Sequence, residues 1–191
     1  MAQDYHGTVI LNDGRELVFQ WLGAGHRPAL EALVGALPEE KRRFLGLDFQ
    51  KPGTFESCLG GEDSPRRLLG AFDNEAGNRL AGYAYLSLGR DAHAHMAEVE
   101  SVLHPDYYDL GLGSGLLREM VRYASAAGIL LLRVEVNLDD KELISAVKRL
   151  GFEPKAILED YRLDARGDPY DVIIMIRRLV FSSNQEFLYR Y

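Results

Sequence analysis

One stretch of the sequence decides the fold, and it reads Ala97-Glu98-Val99-Glu100-Ser101-Val102-Leu103-His104-Pro105-Asp106-Tyr107-Tyr108-Asp109-Leu110-Gly111-Leu112-Gly113-Ser114-Gly115-Leu116-Leu117. It predicts a strand, then a glycine-rich turn, then a helix. Glycine has no Cβ, so the backbone amides of such a turn can approach an anion closely. The start of the helix adds free N–H groups and a partial positive charge. A phosphate or pyrophosphate is the ligand that suits this arrangement.

Two common phosphate-binding motifs do not fit this turn. A P-loop requires Gly-Lys-Ser/Thr after its first glycine, and the turn contains no lysine. The dinucleotide pattern G-x-G-x-x-G requires glycine at Leu116 if it starts at Gly111, or at Arg118 if it starts at Gly113. A nicotinamide-dependent oxidoreductase is therefore disfavoured. A helix-start turn that binds no ligand stays open as the plain alternative.

The elements around this stretch predict one α/β domain. Upstream, the pattern predicts a hairpin, two helices, a loop and three strands, at 8–21, 27–37, 39–47, 48–65, 68–72, 80–88 and 95–103. Downstream, it predicts helix, strand, helix and two strands, at 114–127, 129–136, 139–150, 156–163 and 170–179. The strand–helix–strand order implies at least one parallel pair with a right-handed crossover. We expect residues 1–191 to form a single domain that ends in the short tail 181–191.

Composition limits the classes of function that remain. The 191 residues include 22 Lys plus Arg and 29 Asp plus Glu, a net charge of −7, and 47% of them are hydrophobic, as in a globular domain with a core. The acid excess argues against a nucleic-acid partner, because phosphate contacts need a dense basic face. The single cysteine, Cys58, excludes an intrachain disulfide. Neither a secretory signal nor an apolar span of about 20 residues is recognisable, so a cytoplasmic protein without membrane contact is expected.

Two motifs make the chain resemble the GNAT N-acetyltransferase superfamily over residues 66–179. The first is a strand followed by His104-Pro105-Asp106-Tyr107 and then Gly111-Leu112-Gly113 at a helix start. The second is a helix that ends in Leu150-Gly151-Phe152. The Ala97-Glu98-Val99 strand start is also similar to the protein-lysine (Pat-like) branch. The resemblance implies a mixed, mostly antiparallel central sheet with a splayed parallel pair, flanked by about four helices, with residues 1–65 forming a hairpin and acceptor-side helices.

The resemblance also implies a reaction, in which an acetyl group passes from acetyl-CoA to a primary amine by direct attack in a ternary complex. The pyrophosphate is expected on the backbone amides of residues 110–114, and the pantetheine arm beside Val102 and Leu103. No metal is implied. The cosubstrate-binding residues that follow from the resemblance are Val102, Leu103, Tyr108, Asp109, Leu110, Gly111, Leu112, Gly113, Ser114 and Asn137.

Four positions depart from the family pattern. Tyr108 stands where the family has Arg or Gln, and Asp109 follows it with a carboxylate that would repel a pyrophosphate. Asp140 replaces an Asn that often opens the second helix. Val147 replaces the Tyr that often acts as general acid. These departures keep a second hypothesis open, in which the fold serves as a non-catalytic acyl-CoA-binding or regulatory module.

A base is needed for the amine, because a free lysine amine has a pKa of about 10.4 and must lose a proton before attack. Glu98 is the first candidate, since the resembling lysine-modifying enzymes often keep a glutamate in this strand. Glu100 lies two residues on, hence on the same face of the strand, and is the reserve. The plain alternative is that both face solvent. The candidates for the acid are Tyr107, Tyr108, Tyr161 and Ser145, or a water molecule.

The remaining features have plain explanations as well as functional ones. His93 and His95 could complete a metal set with Glu98, although exposed strand-end histidines are the simpler interpretation. Cys58 lacks an identifiable base, and the run 41–43 of Lys-Arg-Arg is expected to be a solvated helix face. The acceptor is left open between a small amine and a protein lysine. The aromatic tail 181–191 is a candidate for homodimer contacts.

Overall fold

A single eight-stranded sheet forms the centre of the computed structural model, which describes residues 7–49, 51, 53–59, 64 and 66–179. The strands are β1 (Gly7–Ile10), β2 (Glu16–Trp21), β3 (Arg66–Asp73), β4 (Arg79–Leu88), β5 (Met96–Leu103), β6 (Leu131–Asn137), β7 (Glu153–Leu163) and β8 (Pro169–Arg178). The helices of these ranges are α1 (Arg27–Ala36), α2 (Glu39–Arg42), α3 (Thr54–Leu59), α4 (Leu112–Ala126) and α5 (Lys141–Arg149). None of these helices is long and apolar enough to cross a membrane.

The order across the sheet is β1-β2-β3-β4-β5-β6-β8-β7, and the neighbouring strands are antiparallel except β5 and β6. The parallel pair is connected through α4, as expected for a β-α-β crossover. The predicted fold class, a mixed and mostly antiparallel sheet with a splayed parallel pair, is confirmed. Five helices flank the sheet in the described ranges, where about four were expected.

Different helices cover the two faces of the sheet. The buried residues of α4 recur at helical spacing. Together with buried residues of α5, they pack against alternate residues of β4, β5, β6 and β8. On the opposite face, α1 and α3 bury Leu30, Leu33 and Phe55 over the β3–β4 half, together with Tyr83 of β4. The β5–β6 half of that second face carries charged side chains instead. This difference places a polar cleft beside an apolar core.

Two predicted elements differ from the structure. The helix expected over 39–47 ends at Arg42, because residues 43–47 turn so that the backbone N–H of Gly46 donates to the Glu100 carboxylate at 3.1 Å. The loop expected over 48–65 contains α3, whose Phe55, Cys58 and Leu59 are buried at the i, i+3, i+4 spacing of a helix. The tail 181–191 lies outside the described residues.

Candidate functional site

A wedge-shaped gap opens between the two parallel strands. Met96 to Glu98 pair with Leu131 to Arg133, and no register pairs of β5 with β6 follow within the described sheet. Beyond that point β5 continues beside β4 as far as Leu103, and β6 continues beside β8 as far as Asn137. Alternate peptide groups of β5 therefore face the gap without a strand partner. Val102 and Leu103, the predicted pantetheine neighbours, lie on this open part of β5.

The glycine-rich turn lies at the open end of the gap. Gly111 is the N-cap of α4, with φ at +85° and no side-chain cap, and the first turn of α4 contains no acidic residue. A Cβ on Gly113 would lie 3.4 Å from Leu103 Cδ1, so the first turn of α4 is close to the end of β5. The early N–H groups of α4 are thus not satisfied by a side-chain cap and carry the partial positive charge of a helix start.

The β1–β2 turn supports this glycine-rich turn. The backbone N–H of Asn12 donates to the Leu110 carbonyl at 3.0 Å, and its side-chain amide donates to the Asp109 carbonyl at 3.4 Å. Asp109 is exposed and adopts a φ of +59°, a conformation that few non-glycine residues tolerate. Asn12 lies in the turn of the predicted 8–21 hairpin, and no local pattern of the sequence indicates this contact between distant segments.

Tyr107, one of the predicted acids, has a structural role instead. Its hydroxyl donates to Asp73 at 2.8 Å, and both side chains are buried. Burial and the Asp73 carboxylate raise the pKa of Tyr107 to about 12. The guanidinium of Arg15 lies 4.5 Å from the centre of the Tyr107 ring. This buried pair fixes the segment that leads into the glycine-rich turn, and it leaves the hydroxyl engaged.

Glu100 is enclosed beside the gap, on the face of the sheet that α1 and α3 partly cover. It is the register partner of Tyr85, whose hydroxyl donates to the carboxylate at 2.9 Å, and the N–H of Gly46 donates to the other oxygen at 3.1 Å. Burial raises the pKa of Glu100, and these two hydrogen bonds only partly oppose it. A Cβ on Gly46 would overlap the Glu100 carboxylate. Sequence analysis had no local signal for Gly46 or Tyr85.

Glu98 has a different environment although it lies two residues away on the same face. It belongs to the last register pair before the strands diverge, and its carboxylate forms an ion pair with Arg133 across that pair. Arg133 also contacts Glu135 at 3.2 Å, and Arg162 of β7 contacts Glu135 at 3.3 Å. This face of the sheet therefore carries a line of alternating charges.

Residues 39–44 and the turn between β7 and β8 meet across this cleft. Arg43 donates through Nε to the buried Asp164 carboxylate at 2.7 Å and binds it through a second nitrogen as well. Arg166 pairs with Glu39, and the rings of Phe44 and Tyr170 meet edge to face at 4.9 Å. We call this set the 39–44/turn contact. Arg43, expected on a solvated helix face, instead binds a buried acid because the chain turns after α2.

The other predicted residues fall at the margin of the cleft or away from it. Tyr108 is half-buried, with burial as the main cause of its raised pKa and with Lys41 and Glu40 within electrostatic reach. Asn137 ends β6 and accepts a hydrogen bond from the Asp139 backbone at 2.9 Å. Val147 is fully buried in the core under α5. Tyr161 and Ser145 are exposed on β7 and α5.

Two further candidates lack support as reactive groups. Burial raises the pKa of the Cys58 thiol, which lies in the core beside α1 and β3, so this thiol is a weak nucleophile. Both His93 and His95 are exposed, and no group of His, Cys, Asp and Glu able to hold a metal ion is found in the described part of the chain.

Comparison with known proteins agrees with this geometry. Residues 31–152 match the model of the acetyltransferase (GNAT) family. An uncharacterised N-acetyltransferase of Methanocaldococcus jannaschii is 30% identical over 67 residues, which are 35% of this chain and 30% of that protein. The chain thus spans about a third of the length of the curated relative that it matches.

Solved structures share the fold over most of their length. The GNAT domain of S. lividans PAT superposes with a TM-score of 0.75 at 18% identity, covering 94% of this chain and 99% of that domain. A GNAT-family acetyltransferase of Streptococcus pneumoniae gives 0.71 at 24% identity, covering 85% and 99%. With the family model spanning more than half of the residues, and with the splayed strands and glycine-rich turn in place, the chain belongs to the GNAT acetyltransferase family.

Proposed function

We propose that this protein is an N-acetyltransferase that moves an acetyl group from acetyl-CoA to a primary amine, by direct attack within a ternary complex. The observation that carries the proposal is the divergence of β5 from β6 after Glu98, with the start of α4 at its open end. Unpaired peptide groups at a strand edge suit a ligand with amide groups. A helix start without a side-chain cap suits an anionic group at the other end of the same ligand.

The residues of the donor side fit acetyl-CoA. The N–H groups of residues 112–114 would hold the pyrophosphate, with Gly111 admitting it because a φ of +85° and the lack of a Cβ keep the backbone accessible. The open part of β5 at Val102 and Leu103 would pair with the pantetheine amides, and a backbone N–H there would hold the charge that develops on the thioester oxygen. Acetyl-CoA supplies the activated acyl group.

Glu100 is the base in this proposal. A carboxylate with a raised pKa takes a proton at neutral pH more readily than an ordinary one, and efficient general bases have a pKa near the working pH. The Gly46 N–H and the Tyr85 hydroxyl hold it in one orientation on the face that borders the gap. Glu98, the sequence-based first choice, is less suited because its carboxylate is engaged by Arg133.

Tyr108 is our candidate for the acid that protonates the departing thiolate. Of the three tyrosines that the sequence suggested, Tyr107 donates to Asp73 and Tyr161 is exposed on the edge strand β7. Burial raises the pKa of Tyr108, so its phenol keeps the proton that it would donate. Water is the alternative donor.

A coupled binding and turnover experiment tests this function. Acetyl-CoA binding is measured by calorimetry, and CoA release is followed with a panel of primary amines, for wild type and for Glu100→Gln. We expect binding by both proteins and turnover by wild type alone. Absence of both CoA binding and turnover would overturn the proposal.

A second candidate function, a non-catalytic acyl-CoA-binding module, is favoured by one specific observation. Val147, at the position where the family often has a tyrosine acid, is fully buried in the core, so no side chain from that position enters the gap. Tight CoA binding without transfer to any amine, and without any effect of Glu100→Gln, would select this alternative.

A further inference from the structure

Arg162 has hydrogen-bond donors that the protein does not use. A guanidinium carries five N–H donors, and within the described ranges that of Arg162 makes one hydrogen bond, from Nη1 to Glu135 Oε2 at 3.3 Å. The side chain is half-buried, with 29% of it exposed. By contrast, Arg43 binds Asp164 through two nitrogens. The remaining N–H donors lie on a side chain that is partly exposed to the cleft, where they can bind a carboxylate that enters it.

The strand that carries Arg162 is shaped around this position. On β8, Val172 lies opposite Leu158 and Tyr170 lies opposite Arg162, so three residues of β7 face one residue of β8. Asp160 within this bulge has a φ of +50°. Bulges bend a strand and re-aim its side chains. Arg162 is thereby on the face that carries Tyr170 and the acceptor side of the gap.

The contacts of Tyr170, the register partner of Arg162, lead to the proposed base. The ring of Tyr170 meets that of Phe44 at 4.9 Å, and Gly46, two residues further on, donates to Glu100 at 3.1 Å. Burial lowers the pKa of Arg162, but Tyr170, Glu135 and Glu100 act in the opposite direction and the net pKa is raised. The same interaction acts on Glu100, whose raised pKa is reduced in part by the Arg162 charge. The guanidinium and the Glu100 carboxylate are therefore within electrostatic reach across the gap.

The charges already paired decide which ligand fits. Glu98 is engaged by Arg133, the two oxygens of Glu135 face Arg133 and Arg162, and Glu100 accepts from Gly46 and Tyr85. Glu98 and Glu135 are both paired with arginines, so beyond the proposed base Glu100 no acid of β5 or β6 is left for a second ammonium group. A polyamine would meet two arginine charges, whereas a carboxylate would meet the open donors of Arg162. Guanidinium and carboxylate match in shape and charge.

We infer that Arg162 binds a carboxylate of the acceptor, so that the acceptor is a small molecule with a primary amine and a carboxylate a few bonds apart, such as an amino acid. The amine lies toward Glu100 and the carboxylate toward Arg162. This inference rests on the proposed acetyl transfer and adds the class of acceptor. Arg162 contacts the substrate in this arrangement and determines specificity.

The test compares amino acids with the amines that they give on decarboxylation, such as phenylalanine with phenethylamine and lysine with cadaverine. We expect wild type to favour the carboxylated member in kcat/KM by about 10- to 100-fold, the range of a charge-assisted hydrogen bond. Arg162→Gln should abolish that preference and Arg162→Lys should retain part of it. Arg178→Gln, at the far end of β8 on the same face, is the matched control and should behave as wild type.

A second readout separates this inference from the proposed function. Calorimetry of the amino acid with the CoA-loaded protein measures acceptor binding without turnover, and Arg162→Gln should remove the binding heat while CoA still binds. Acetylation of amines with no preference for a carboxylate would overturn the inference and leave the transferase standing. A preference for succinyl-CoA over acetyl-CoA that Arg162→Gln removes would also overturn it, because the carboxylate would then belong to the acyl group.

Discussion

The two sides of the gap between β5 and β6 are built in different ways. The donor side consists of backbone, namely the open edge of β5 and the N–H groups at the start of α4. The acceptor side consists of side chains from β4, β5, β6 and β7, with Gly46 above them. In the proposed function, the backbone would bind the CoA part of the cosubstrate, which is the same for every acceptor. Side-chain recognition can differ from one enzyme to the next without altering the donor side.

Replacing Glu100 should have the largest effect on catalysis while leaving the binding of acetyl-CoA nearly unchanged. We expect Glu100→Gln to lower kcat by about 100- to 10,000-fold, the usual contribution of a general base, with the Kd for acetyl-CoA nearly unchanged. Stopped-flow turnover and calorimetry measure the two quantities. Glu98→Gln is the matched variant and should lower kcat far less. A larger loss for Glu98→Gln would return the role of base to Glu98.

The donor side can be weakened through one glycine. Gly111→Ala forces a non-glycine residue to a φ of +85° and adds a Cβ about 3.4 Å from the Asn12 side chain. We expect about a tenfold weaker Kd for acetyl-CoA and ~1 kcal/mol lower stability from the left-handed conformation. Gly128→Ala is the control, because Gly128 has a φ of +80° with open space around it. It should lose similar stability and no affinity.

Weakening the 39–44/turn contact should change the binding of the amine and leave the binding of acetyl-CoA unchanged. Arg43→Ala removes the partner of the buried Asp164 and should raise KM for the amine several-fold, leaving the Kd for acetyl-CoA unchanged. Although burial opposes it, hydrogen bonds from Arg43 and from backbone amides lower the pKa of Asp164. The ionised carboxylate therefore stabilises the fold. This stabilisation is full above the unfolded pKa of about 3.9 and is lost as the pH falls through the folded pKa.

That linkage supplies a check on the Arg43 variant. Thermal melts should show a larger loss of stability for Arg43→Ala at pH 7 than at pH 3, because the stabilisation of ionised Asp164 by Arg43 declines once the pH is below the unfolded pKa of about 3.9. An equal loss at both pH values would mean that Arg43 acts through packing rather than through its charge.

The smallest expected effect concerns the stability of the proposed base. The folded pKa of Glu100 is raised above the unfolded value of about 4.3, so stability from its proton is full below that value and declines as pH rises through the folded pKa. Glu100→Gln avoids this decline. We expect its melting temperature to exceed that of wild type at pH 8, as measured by thermal melts at pH 8 and pH 4. The difference should vanish at pH 4.

The difference between the donor side and the acceptor side also explains which parts of the site the sequence could predict. The donor side was recognisable because its parts are contiguous: Gly111 and Gly113 follow the β5 strand within one segment and have a shared backbone requirement. The strands, α4, α5 and the parallel pair follow from hydrophobic periodicity and element order. Helix α3 was missed because its six residues between glycines are too short for a clear period.

The acceptor side could not be assembled in this way. Gly46 and Tyr85 donate to Glu100 from two separate segments, Arg162 lies on a third, and no local pattern joins them. The ion pair between Glu98 and Arg133 depends on strand register, which alternation alone does not determine between distant strands. Glu98 and Glu100 therefore looked equivalent in the sequence, on one face and two residues apart. Their neighbours make the difference.

The bond between Arg43 and Asp164 spans 121 positions of the chain. Contacts between such distant residues close long loops and form slowly, whereas the β5–α4–β6 unit is local. During synthesis the donor side can fold once β6 has left the ribosome, but the acceptor cleft must wait for the turn that follows β7. A nascent chain released before that turn would contain the proposed CoA-binding turn but lack the residues that we propose for positioning an amine.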